Sequence, residues 1–192
     1  MNSIIELSTF INLLYDYEPG IVKLIEKLTT TYTFTSSEEL NDAVDMWCDD
    51  KTREEAESKY GHISYWNVSQ IGNMMLLFKG KKDFNDDISR WNVSNVYKME
   101  LMFADAHNFN QPLNDWDVSN VYCMDCMFKY ALKFNKPLCK WNVKKVEGMS
   151  CMFFNAKSFN QDLREWETYN VYIKQSMFYK CGIISKYKPI FL

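Results

Sequence analysis

Glycine is scarce in this 192-residue chain: there are 6 copies, and none falls in a GxGxxG or GxxxxGK[ST] loop. The nucleotide-binding loops of those kinds are therefore absent, since they rely on glycine to bring backbone N–H groups onto a phosphate. Histidine is scarcer still, with 2 copies, His62 and His107. Neither can be given a positioned nucleophile or carboxylate, so no catalytic constellation assembles. The chain reads as non-enzymatic, with no cofactor, no metal and no small-molecule substrate. Long apolar runs are missing too, and nothing approaches the ~18 residues that span a bilayer. At the N-terminus, Glu6 and Asp16 interrupt the apolar stretch. No basic region precedes that stretch and no small-residue cleavage site follows, so it is not a signal peptide. No membrane partner is expected. The 6 cysteines read as reduced thiols in an intracellular setting, and the sequons at Asn67 and Asn92 as unglycosylated.

The sequence does contain a repeat. Trp66, Trp91, Trp116, Trp141 and Trp166 stand 25 residues apart without drift. A fixed period of this length is the mark of a stacked repeat architecture. Other columns keep the same register: Phe78, Phe103, Phe128, Phe153 and Phe178; Phe84, Phe109, Phe134 and Phe159; Met74, Met99, Met124 and Met149. Ile71, Val96, Val121, Val146 and Val171 form another, and no insertion breaks the pattern between residues 63 and 181. Charge divides along the same line. Residues 1–60 carry 5 basic and 13 acidic side chains, a balance of −8, while residues 61–192 carry 17 and 12, a balance of +5. An acidic segment of this kind suits a cap that covers the apolar face of the first repeat.

The expected organisation is a helical N-terminal cap over residues 1–60, a repeat region over 61–181 and a C-terminal cap over 182–192. Residues 1–35 read as one or two amphipathic helices divided at Pro19-Gly20. Ser36 to Glu39 reads as a capping box for a helix presenting Leu40, Val44 and Trp47 on one face, and Thr52 as the cap of a short helix ending near Gly61. Within a repeat, Ser94 is a good N-cap, and Val96, Met99, Met102 and Phe103 follow with the stripe of a short helix. Leu113, Trp116 and Val118 suit an extended segment pairing in parallel with the next coil at roughly 4.8 Å. The fold class this gives is an α/β repeat solenoid, similar to a leucine-rich repeat, with about five coils. Asn85, Asn110, Asn135 and Asn160 read as a ladder satisfying backbone groups of adjacent coils.

The segment Trp116-Asp-Val-Ser-Asn-Val-Tyr-Cys-Met-Asp-Cys-Met-Phe, followed by Ala131, Phe134-Asn135 and Leu138, resembles the repeats of the BspA-like leucine-rich-repeat surface proteins. The lead-in Leu40 to Cys48 and Tyr60 to Trp66 resembles the segment that often precedes the first repeat of that family. The resemblance covers about residues 36–181. It implies a leucine-rich-repeat-like solenoid that works in protein interaction or adhesion. With no export signal, it implies an intracellular or virus-encoded member, placed in host cytoplasm or a virion. The last copy departs from the pattern, with Glu167-Thr168-Tyr169 in place of Asp-Val-Ser and Lys174 at a methionine position.

Four groups remain as candidate sites. Cys123 and Cys126 form a lone CxxC, too little for zinc without a second pair, and Cys126 shares a column with Cys151. Asp49-Asp50 and Asp86-Asp87 read as solvated. Lys129, Lys133, Lys136, Lys140, Lys144 and Lys145 form a basic stretch that neighbouring Lys98 and Lys157 could extend. Nucleic acid held this way would bind weakly and salt-dependently, and a solvated surface is the simpler reading. Tyr97, Tyr122 and Tyr172 share a column just after the inward valine, where an exposed row offers contact area with a polar tip. The expected function is a protein interaction module whose contact face is Tyr97, Tyr122 and Tyr172 with Lys98, Lys129 and Lys133. The alternative is a component of a virion or other large assembly. In either case the protein partner is unidentified.

Overall fold

The structure is a computed structural model and describes residues 31–191. The helices expected before Pro19 and over Ile21 to Leu28 lie outside the described residues. Residues 31–35 are extended rather than helical: Thr33 bridges Asn67 in parallel, and Phe34 donates its N–H to the Asn67 carbonyl at 3.0 Å.

Two α-helices follow, α1 at Ser37–Cys48 and α2 at Arg53–Tyr60. Ser36 caps α1 by accepting from the Glu39 N–H at 3.1 Å, and Leu40, Ala43, Val44 and Trp47 are its buried face. The apolar spacing of 3 and 4 residues thus gives an amphipathic helix here. Thr52 does not cap α2 through its side chain. Its hydroxyl donates instead to the Met46 carbonyl at 2.9 Å, tying the two helices together. Short 3₁₀ turns stand at Ile63–Tyr65 and Ser185–Tyr187.

The expected α/β solenoid is not what forms. Among the described residues the repeats contain no α-helix and no sheet, only isolated parallel bridges in the series Asn73, Lys98, Cys123, Gly148, Ile173. These bridges fall in the helix-assigned stretch rather than at Leu113 to Val118. Each repeat is a succession of tight turns. In the first, N–H to C=O bonds close 68–71, 74–77, 76–79, 78–81, 81–84 and 88–91, and the later repeats reproduce the series. The N–H groups between the turns go to the next repeat: Met74 to Lys98, Leu76 to Glu100, Phe78 to Met102 and Gly80 to Ala104, at 2.8–3.0 Å. A helix would send each of these donors four residues back along its own chain. Here a neighbouring repeat presents carbonyls in register, and alternate donors cross to it. The apolar stripe at 96, 99, 102 and 103 therefore marks successive turns. Ser94 caps nothing; its own N–H is held by Asn92 Oδ1 at 3.1 Å.

Turns of this kind demand unusual backbone. The third residue of 74–77 and its equivalents have positive φ: Leu76 69°, Leu101 58°, Cys126 57°, Cys151 54° and Ser176 55°. A second column, Gly80, Asp105, Tyr130, Asn155 and Lys180, does the same. Positive φ at this place is the type II requirement, and glycine meets it without strain; only Gly80 does so here.

The interior is a set of side-chain columns. Phe78, Phe103, Phe128, Phe153 and Phe178 stack at centroid distances of 5.4–5.8 Å, and Phe84 to Phe159 at 5.7–5.9 Å. Each such side chain, buried, contributes roughly 1.5–3 kcal/mol. The indole N–H groups of Trp91, Trp116, Trp141 and Trp166 each donate at 2.8–3.2 Å to the carbonyl 28 residues earlier. The asparagine column forms its ladder: Asn85, Asn110 and Asn135 accept through Oδ1 from the N–H of Asn110, Asn135 and Asn160 at 2.8–2.9 Å. Among the described residues, no helix is long and apolar enough to cross a membrane.

Candidate functional site

The residue after each inward valine turns away from the core, because successive side chains of an extended segment point to opposite sides. That places position 97 and its equivalents outside: Tyr97 is 46% exposed, Tyr122 38% and Tyr172 66%. Each leans back over the preceding repeat. Tyr97 lies so close over Gly72 that a Cβ there would stand 2.5 Å from its ring, which is why glycine suits that place. Tyr97 and Tyr122 are parallel, with centroids 6.1 Å apart. Their backbones follow the same step, Tyr122 N–H to Tyr97 carbonyl at 3.1 Å.

Glu147 occupies the next place in this row. It accepts a hydrogen bond from the Tyr172 hydroxyl at 2.8 Å, which holds the Tyr172 phenol above its ordinary pKa. Because a carboxylate replaces a ring, the row opens into a groove of about 560 Å³, lined by Asn120, Tyr122, Lys145, Glu147, Tyr169, Asn170 and Tyr172. Lys145 is held at the rim by Asn120 Oδ1 at 2.7 Å, and Lys144 pairs with Glu167 at 2.9 Å.

Of the lysines expected beside the tyrosines, only Lys98 joins them: its Nζ lies 5.7 Å from the Tyr122 ring centroid, and a hydrogen bond with that phenol raises its pKa. Lys129 turns elsewhere, over Tyr130 and Phe154 at 5.7 and 5.6 Å. Lys133 is exposed five residues before Leu138 and touches the row through nothing described; its N–H bonds to the His107 carbonyl at 3.1 Å. In the sequence Glu147 reads only as an interruption of the row, and its place in the face, with Tyr169 beside it, comes from the structure. Tyr169 departs from the Asp-Val-Ser pattern, and a tyrosine where the first three copies have serine and the fourth Lys144 is itself a signal of added surface.

The remaining candidates are absorbed by the fold. Asp86 is not a solvated carboxylate: it accepts from Trp47 Nε1 at 2.9 Å and from Arg53 Nη2 at 3.0 and 3.2 Å, locking α1 and α2 to the first repeat. Arg53 also lies 4.4 Å over the Trp47 ring. Asp87 accepts from the Ser89 N–H, and this holds its carboxyl below the usual range. His62 Nδ1 accepts from the Ser64 N–H at 3.3 Å. All six cysteines are free thiols. Cys123 donates to Asp125 at 3.4 Å, and burial pushes its thiol up to about 12; burial pushes Cys48 up to about 11. Among the described residues, no three His, Cys, Asp or Glu side chains gather as a metal site would need.

Fold and site together define a 25-residue repeat protein built from turns, with a two-helix lead-in and an aromatic surface row. Within that class, the chain belongs to the family described as "Mycoplasma protein of unknown function, DUF285", whose family model matches residues 44–150 and 102–187. No curated protein and no solved structure matches the chain. This corrects two expectations. A leucine-rich repeat, with its strand and helix in every coil, is not present. A viral origin has no support, since the matching family is described from Mycoplasma.

Proposed function

We propose that this protein is a non-enzymatic interaction module that holds another protein on the tyrosine row of its repeats. The observation that carries this reading is the row itself. Three tyrosines 38–66% exposed stand on a backbone pinned from repeat to repeat, beside a groove of about 560 Å³. Aromatic side chains with few rotatable bonds lose little entropy on binding, and tyrosine is enriched where interfaces concentrate their energy. The turn ladder beneath them supplies preorganisation. The resemblance of Trp116 to Leu138 to BspA-like repeats points the same way, toward adhesion or protein contact.

A second reading is a component of a large assembly. It is favoured by the apolar surface on the last repeat and the segment after it, where Ile173, Tyr179, Ile184 and Ile190 are exposed, Ile190 to 76%. The test is an affinity capture from native cells with wild type beside a Tyr97→Ala/Tyr122→Ala/Tyr172→Ala variant whose fold is verified by circular dichroism. A specific partner lost in the variant is the expected result. A partner retained by the variant overturns the row as the contact face, and fixed-stoichiometry recovery with a particle moves the reading to the assembly.

A further inference from the structure

Several surface tyrosines in this protein take cations. Arg90 lies 5.8 Å from the Tyr65 centroid, Lys98 5.7 Å from Tyr122, Lys180 5.4 Å from Tyr179 and Lys186 5.0 Å from Tyr187. Among the described residues, none sits over Tyr169 or Tyr172, which are 52% and 66% exposed. These are the rings that border Glu147 in the groove.

From this we infer that the Glu147 groove is a receptor for a cationic side chain, an arginine or lysine of the protein partner, with Tyr122, Tyr169 and Tyr172 as its aromatic walls. The inference rests on the reading of the row as the contact face. A cation over a tyrosine face is attracted by the ring quadrupole, and a carboxylate within the same recess adds direct charge pairing. The Tyr172 hydroxyl occupies Oε2 of Glu147 at 2.8 Å, and this orients the carboxylate while leaving Oε1 for a donor. Lys145, which lines the groove, and its neighbour Lys144 do not fill the place. Lys145 is drawn to Asn120 at 2.7 Å and Lys144 to Glu167 at 2.9 Å, so both ammonium groups are held by partners of their own. Where the row is unbroken, at Tyr97 and Tyr122, ring stacks on ring and no such recess exists. The substitution of Glu for Tyr at one step is what creates it.

The experiment is an NMR titration of the full chain, with its tyrosine rings isotope-labelled, by acetyl-arginine-amide and by its neutral isostere acetyl-citrulline-amide. Arginine is expected to shift the Tyr122, Tyr169 and Tyr172 rings saturably, with an affinity on the order of millimolar and falling with salt; citrulline should not shift them. Glu147→Gln should weaken the arginine response about tenfold. Glu147→Tyr, which continues the ring stack, should abolish it with the thermal midpoint unchanged. Equal shifts from citrulline, or an arginine response that Glu147→Gln leaves intact, would overturn the inference. A partner captured by Glu147→Gln at wild-type level but lost with the three tyrosines would also overturn it while leaving the row as the contact face.

Discussion

Tryptophan at each 25-residue step shows how one side chain can close two requirements. Its rings fill the core, and its indole N–H finds a partner there, adding a second hydrogen bond to a carbonyl that already closes a turn one repeat back. Trp116→Phe keeps most of the volume but removes the indole bond to the Ile88 carbonyl at 3.2 Å, leaving that carbonyl only the Trp91 N–H at 3.1 Å. Stability measured by urea unfolding should fall by about 0.5–1.5 kcal/mol, and Trp116→Ala should cost about 3–5 kcal/mol. The thiols give a second prediction at this scale. A group whose folded pKa is raised keeps its proton until higher pH, so the reactive thiolate of Cys123, near 12, is about one in ten thousand at pH 8. Iodoacetamide should label exposed Cys139 first, and label Cys123 and Cys48 appreciably only above about pH 10. The same shifts carry a stability consequence. The unfolded chain ionises first, near the ordinary 9.0, so stability should decline from there upward. Much at this scale was legible in the sequence. The tryptophan, phenylalanine and asparagine columns could be read from spacing, because burial and laddering act on residues one period apart. Asp86 was not legible, because its partners Trp47 and Arg53 lie in the lead-in and follow no period.

Turns, not helices, are the elements of the repeat, and here spacing misled. Apolar residues at i, i+3, i+6 and i+7 fit a helix, and they fit a run of three- and four-residue turns equally well. What decides is where the backbone donors go, and residue type does not show that. One clue was present. Gly80 heads a column completed by Asp105, Tyr130, Asn155 and Lys180, all at positive φ, and two of these, Asp and Asn, are the types that enter that region most readily. Tyr130, at 58°, and Lys180, at 54°, are the strained members. Tyr130→Gly should be neutral to about 1 kcal/mol stabilising, less the small packing against Phe154, whereas Gly80→Ala should destabilise by about 1 kcal/mol despite open space around it. A calorimetric comparison of the two midpoints checks the sign. The lead-in helices, with ordinary caps and stripes, were readable at α1 because nothing there competes with the i−4 acceptor.

At the scale of the whole molecule, repeats 25 residues apart share their hydrogen bonds and ring stacks, so each is stabilised mainly by its neighbours. The lead-in seals one end. Asp86→Ala removes the Trp47 and Arg53 contacts together, and because Arg53 is part exposed the loss should be modest, about 1–2 kcal/mol, seen as early exchange of amides in α1 and α2 before those of Phe103 or Phe128. The contact face belongs to this scale too, since no single repeat contains it. Tyr97, Tyr122 and Tyr172 were readable as a column, while the recess at Glu147 follows from one departure in that column and becomes visible only when the rings on either side are placed. The most direct measurement of the face is photo-crosslinking in native cells, with benzoylphenylalanine placed at Tyr97, at Tyr172 and at Lys157, which is exposed elsewhere on the repeats. The account predicts a common protein adduct from Tyr97 and Tyr172 and none from Lys157. An adduct from Lys157 with neither tyrosine position reacting would contradict it.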